Sequence, residues 1–242
     1  MRVLSIGNSF SQDAQRYLHG IAAADGTELK AVNLYIGGCS LRTHYINSIE
    51  DSRAYELEFN GVTTGFRTTI KEALISDEWD AVTLQQASPL SPDYETYQPY
   101  LGLLNEYVRK YSPRSAVYIH QTWAYEKGSE KLAALGFADP ADMLRGIRKA
   151  YAAAALDIGA DGIIPSGEVF HDILKSGAER IHRDTFHASL GLGRYALGLT
   201  WYAALTGARV SDNGFDETDE PVSAEEKRMA KLSAEKLVFG TK

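Results

Sequence analysis

Short apolar runs alternate with segments of helical periodicity along most of this chain. Residues 2–6 read as a buried strand, and 13–24 as a helix with Ala14, Leu18, Ile21 and Ala22 along one side. A second strand at 29–35 runs into Gly37-Gly38, and a third at 80–84 into Gln85-Gln86. A helix is predicted over 97–111, a fourth strand at 115–120, a long alanine-rich helix over 139–156, and a short fifth strand at 162–164. Strands that alternate with helices predict a parallel sheet covered on both faces. Right-handed crossovers then give a three-layer α/β/α sandwich with a five-stranded parallel sheet. Two segments break the rhythm. Asn60-Gly61 lies between β-type residues and signals a hairpin inserted at about 54–66. Ser223 and Glu226 stand at capping-box spacing before a charged C-terminal helix at about 223–238.

At 242 residues and 44% hydrophobic, the chain can bury one sizeable core, so a single domain spanning 1–242 is expected. Net charge is −7, and the basic residues are scattered. That argues against nucleic acid and against anionic membrane surfaces, and favours a neutral or mildly charged small molecule. The weakly polar stretch 188–207 is interrupted by Arg194 and reads as a packed helix, not a membrane span. Cys39 is the lone cysteine, which rules out an internal disulfide and fits a reducing compartment. Met1-Arg2 leads straight into the first strand with no signal-peptide pattern, so a cytoplasmic protein is expected.

The chemistry concentrates at two places. After the first strand comes Gly7-Asn8-Ser9-Phe10-Ser11, which can present Ser9 at the C-terminal edge of the sheet and the start of a helix. There, free backbone N–H groups and the helix dipole favour a developing oxyanion. Ser9 and Gln12 are also at capping-box spacing, so Ser9 could instead cap the helix, or Ser11 could cap it and leave Ser9 free. Far along the chain stands Asp184-Thr185-Phe186-His187. Three apart on a helical turn, Asp184 and His187 could act together on a serine as orienting carboxylate and base; equally, Asp184 could cap a helix. His182, Asp184 and His187 match no metal-ligand spacing, so no metal is expected. Gly37-Gly38 permits close approach of a backbone N–H to a substrate oxygen, and a Gln85 or Gln86 amide could donate to the same atom. A tight turn and a solvated strand end are the plain alternatives. Cys39 reads as structural, and His19, His44 and His171 as ordinary surface or core residues.

These pieces, in this order, resemble the SGNH (GDSL-type) hydrolase superfamily. Its Gly-Asp-Ser block appears as Gly7-Asn8-Ser9, its second-block glycine as Gly37 or Gly38, and its closing Asp-x-x-His as Asp184 to His187. The third block departs: Leu84-Gln85-Gln86-Ala87-Ser88 stands where the superfamily has Gly-x-Asn-Asp. The chain is similar to a bacterial subgroup of that superfamily that begins Gly-Asn-Ser-Phe-Ser. The resemblance implies a flavodoxin-like sheet and a cofactor-free esterase acting on small-molecule or oligosaccharide esters, often acetyl esters of carbohydrates. It implies Ser9 as nucleophile, His187 as base and Asp184 as its partner. The oxyanion would be held by the amides of Ser9 and Gly38 (or Gly37) and by Gln85, with Gln86 the other choice. Trp123, after the fourth strand, could stack on a sugar ring or belong to the core. Two other readings stand beside this one. A non-catalytic glycan-binding module is kept open by Asn8 and the two glutamines. A nucleotide binder is disfavoured by the lack of a glycine-rich run ending in Lys-Ser/Thr.

Overall fold

In the computed structural model, which describes residues 1–240, a single sheet lies between two layers of helices. Its first strand, β1 (Arg2–Gly7), is buried from Val3 onward, as a central parallel strand must be. It pairs in parallel with β2 (Lys30–Tyr35) on one side and β5 (Ala81–Leu84) on the other. Beyond β5 lie β6 (Ala116–His120) and β7 (Gly162–Ile164), both parallel. The hairpin forms β3 (Tyr55–Phe59) and β4 (Val62–Thr68), and β3 pairs antiparallel with β2. The sheet order is therefore β4-β3-β2-β1-β5-β6-β7. The expected five parallel strands are present, but the sheet of the described residues has seven, because Leu57 pairs with Leu34 and extends the same sheet.

Most helices arise where the periodicity places them, with local differences. The helix expected at 13–24 is two, α1 (Ser9–Gln15) and α2 (Leu18–Ala24). Helices α3 (Leu41–Ile49) and α4 (Ile70–Ile75) cover connections that carry no strong apolar period. On the far side come α5 (Tyr100–Tyr111), α6 (Glu130–Ala134) and α7 (Pro140–Ile158). In α7, Asp139 caps the start, Pro140 occupies the first turn, and Gly159 ends the helix in the left-handed region. Helices α8 (Ser166–Lys175), α9 (Leu192–Thr206) and α10 (Ala224–Phe239) complete the described chain. Helix α9 is buried on nearly every side, with Trp201, Tyr195 and Tyr202 in the core. The Ser223–Glu226 capping box of α10 forms as its spacing predicts. No helix among the described residues is long and apolar enough to cross a membrane.

Sheet order decides where a site can lie. The chain leaves β1 toward β2 on one side and returns to β5 on the other, which opens a crevice at the C-terminal ends of β1, β2 and β5. The turns after these strands carry Ser9, Gly37-Gly38 and Ser88.

Candidate active site

Asn8, not Ser9 or Ser11, caps α1. Its side-chain carbonyl accepts the Phe10 amide at 3.0 Å, while Ser11 Oγ accepts the Asn8 amide at 3.1 Å. The turn between strand and cap is tight. A Cβ on Gly7 would lie 2.1 Å from Ser11 Oγ, so only glycine fits beside that hydroxyl. Relieved of capping, the Ser9 side chain turns into the crevice, where its Oγ is 2.8 Å from His187 Nε2.

His187 is held from behind. Its Nδ1 is 2.7 Å from Asp184 Oδ2, and its backbone amide donates to Asp184 Oδ1 at 2.9 Å. An acceptor on Nδ1 fixes the neutral tautomer with the proton there and leaves Nε2 as acceptor for the serine hydroxyl. Burial pushes the Asp184 carboxyl up, but the bonds from His187 Nδ1 and from the His187 amide outweigh it and leave the group below the usual carboxylate range. The segment 184–187 is not the helical turn that the spacing suggested. It is a loop, with Thr185 at φ 72° and a β-bridge between His182 and Ala188 closing its base.

That loop is clamped to α1 by a residue the sequence did not single out. Asp13 is fully buried, and its carboxylate accepts from Arg183 Nη1 at 2.9 Å, Arg194 Nε at 2.9 Å and the Ala188 amide at 3.2 Å. Arg194 also pairs with Asp219, which pairs in turn with Arg16. The bond from Arg16, with that from Arg194, holds the Asp219 carboxyl down to about 2. One chain of ion pairs thus joins the helix carrying Ser9 to the loop carrying His187. An acidic residue among the inward positions of a helix is the only local sign of it.

A cavity of about 610 Å³ opens at this point. Ser9, Gly37, Gly38 and His187 line it together with Tyr35, Ser88, Pro89, Tyr125, Lys131, Leu135, Arg183 and Phe186. The amides of Ser9 and Gly38 have no hydrogen-bond partner among the described residues, and Gly38 reaches its conformation at φ 64°.

Three expected substrate contacts lie elsewhere. Gln85 is buried behind Asn8, to which its Nε2 donates at 2.6 Å, and its Oε1 takes a bond from His120 Nδ1 at 2.7 Å. It does not line the cavity. Gln86 is fully buried and committed to the Leu41 amide and the Thr96 carbonyl, so it braces two loops. Trp123 is a core residue, stacked on Phe10 at 4.1 Å between ring centroids and packed on Phe170. Cys39 is buried with its thiol pushed up to about 12, which suits the structural role expected of it. His182 turns away from the crevice, its Nε2 3.1 Å from the Ala124 carbonyl.

This mixed sheet, parallel through its centre, with its crevice at the strand ends and helices on both faces, matches the fold of SGNH hydrolase structures. Two solved structures share it: a candidate SGNH hydrolase from Slackia heliotrinireducens and a candidate GDSL-like lipase from Parabacteroides merdae. The first is 23% identical, with 84% of this chain and 97% of the other covered and a TM-score of 0.61. The second is 16% identical, with 85% and 95% covered and a TM-score of 0.56. The chain itself belongs to the DUF4886 family, a domain of unknown function, which matches residues 2–237. A DUF4886 family protein from Bacteroides uniformis is 34% identical over all of this chain and 96% of its own, at a TM-score of 0.91. No curated protein matches the sequence.

Proposed function

We propose that this protein is a serine esterase that hydrolyses small O-acyl esters, with O-acetyl groups on carbohydrates as the substrate class. The observation that carries this reading is the run of short contacts from Asp184 through His187 to Ser9, at 2.7 and 2.8 Å, on the wall of the cavity. A hydroxyl needs a positioned base to attack a carbonyl, and the base needs an orienting partner.

In the first step Ser9 Oγ bonds to the ester carbonyl carbon and passes its proton to His187 Nε2. The carbonyl oxygen becomes the oxyanion, and the Ser9 and Gly38 amides are its donors; each such donor is typically worth about 3–4 kcal/mol in the transition state. The carbon–oxygen bond to the alcohol then breaks, and His187 returns the proton to the departing alkoxide. Water, deprotonated by His187, releases the acid and restores Ser9. Gln85, expected as a third donor, instead holds Asn8 and through it the start of α1.

Incubation with a fluorophosphonate probe, followed by peptide mass spectrometry, tests this. Labelling at Ser9, lost in Ser9→Ala and in His187→Ala, is the expected result, with ester hydrolysis lost in parallel and the fold kept. Absence of labelling where a control esterase reacts would leave the glycan-binding module as the better reading, checked by calorimetry with oligosaccharides.

A further inference from the structure

The cavity wall carries charge of one sign. Lys131 and Arg183 line it, and no Asp or Glu does, although the chain as a whole has a net charge of −7. Lys131 sits on α6 with no carboxylate within ion-pair distance among the described residues. Its Nζ lies 4.2 Å from the centre of the Phe186 ring, and that ring packs on His187 at 3.9 Å between centroids. The ammonium is therefore held against an aromatic face that itself covers the catalytic imidazole.

Arg183 adds to this. Only its Nη1 is engaged, by Asp13 and the Ala188 carbonyl, which leaves Nε and Nη2 without a partner among the described residues. Its partner Asp13 is shared with Arg194, and the other nearby carboxylates, Asp184 on His187 and Glu58 on Asn33, each face a hydrogen-bond donor of their own and do not line the cavity. Local charge, not the net charge of the chain, sets the potential felt by a ligand in a crevice.

We infer that the preferred substrate is an ester carrying an anionic group, with Lys131 the residue that selects it. This rests on the esterase reading and narrows its substrate class, against the neutral ligand that net charge alone favoured. The cavity is open to water, so the expected preference is modest, about two- to fivefold in kcat/KM over a neutral ester of the same shape.

Two pairs of esters test it and locate the charge. For the alcohol side, 4-acetoxybenzoate is compared with its methyl ester; for the acyl side, mono-4-nitrophenyl adipate with its methyl ester. Each rate is corrected for the compound's alkaline hydrolysis. A preference for the anion in either pair, shrinking as salt rises and reversed in Lys131→Glu, is the expected result. Turnover of both members of each pair at equal corrected rates overturns the inference and leaves the esterase intact. So does a preference that Lys131→Ala and Lys131→Glu leave unchanged. Failure to hydrolyse any of the four, with no fluorophosphonate labelling at Ser9, overturns the esterase reading and this inference with it. Lys131 is exposed and its side chain supports no ion pair, so both variants are expected to fold; melting curves check this.

Discussion

Replacing Asp184 with alanine measures how much a half-exposed carboxylate contributes to the proposed activation of Ser9. Its side chain is 47% accessible, whereas that of His187 is 18%. In the proposed reaction His187 becomes an imidazolium in contact with this carboxylate. Two unit charges about 4 Å apart interact by about 1 kcal/mol with water-like screening and about 4 kcal/mol at an effective dielectric near 20. A half-exposed partner falls between, at about 2–3 kcal/mol. Since about 1.4 kcal/mol is tenfold in rate, kcat should fall about 30- to 150-fold. That is well short of the roughly 10⁴-fold loss that follows removal of the charge from a buried triad aspartate. Asp184→Asn should lose at least as much as the alanine variant, because its amide can present a donor to Nδ1 and favour the wrong tautomer. The assay is kcat on 4-nitrophenyl acetate, with melting curves to show that the loop persists. A loss below about threefold would mean that the carboxylate does not act on the imidazole. A loss equal to that of Ser9→Ala in a folded protein would equally refute the argument, since screening would then play no part.

Two further outcomes follow from the buried charges. Asp13→Ala leaves Arg183 and Arg194 without their shared carboxylate and should destabilise the fold by about 3–5 kcal/mol in urea unfolding; a change under 1 kcal/mol would dissolve the clamp. The protein should also be sensitive to acid. Burial pushes His44 and His120 down to about 3 and His182 down to about 4, so the unfolded chain binds protons that the folded one refuses. Stability from these groups is full above about pH 6.5 and falls as pH drops toward 4, at up to about 4 kcal/mol per pH unit for three such groups. Urea midpoints at pH 7.5 and 5.5 would show it, and equal midpoints would count against the burial argument.

The parallel strands are legible because strands covered on both faces read as unbroken apolar runs, as Val3 to Ile6 and Ala81 to Leu84 do. The hairpin is legible from Asn60-Gly61, but its union with β2 is not, since cross-strand pairs such as Leu57 with Leu34 leave no local trace. At the site, Ser9, Asp184 and His187 can be named from strand-end position and residue chemistry. What brings them together cannot: Asp13 and Arg183 are 170 positions apart, and neither belongs to a recognisable pattern. Trp123 shows the opposite failure. An amphipathic ring after a strand suits a sugar platform, and only the packing of Phe10 and Phe170 on its two sides decides for the core.

The two departures from the GDSL pattern turn out to be one feature. Asn8 sits where the superfamily has aspartate, and Gln85 where a side-chain donor was expected, and each is the hydrogen-bond partner of the other. Asn8 is 1% exposed, so a charge there would be costly. Its Nδ2 also donates to the Cys39 carbonyl at 3.0 Å, which a carboxylate could not do. Gln85 can aim its amide at Asn8 only if its carbonyl finds a donor, and His120 supplies one. Burial keeps that imidazole neutral, with Nδ1 protonated toward Gln85 and Nε2 free to accept from Ser166 Oγ at 3.1 Å. The series from Ser166 to Asn8 ties the ends of β7, β6 and β5 to the turn after β1, and the bond from Asn8 to the Cys39 carbonyl ties that turn to the one after β2, the two that carry Ser9 and Gly38. The two residues that kept a non-catalytic reading open thus build a neutral brace beneath Ser9. An aspartate at position 8 could keep the bonds from Gln85 and Phe10, which both donate, but would face the Cys39 carbonyl with no proton to give.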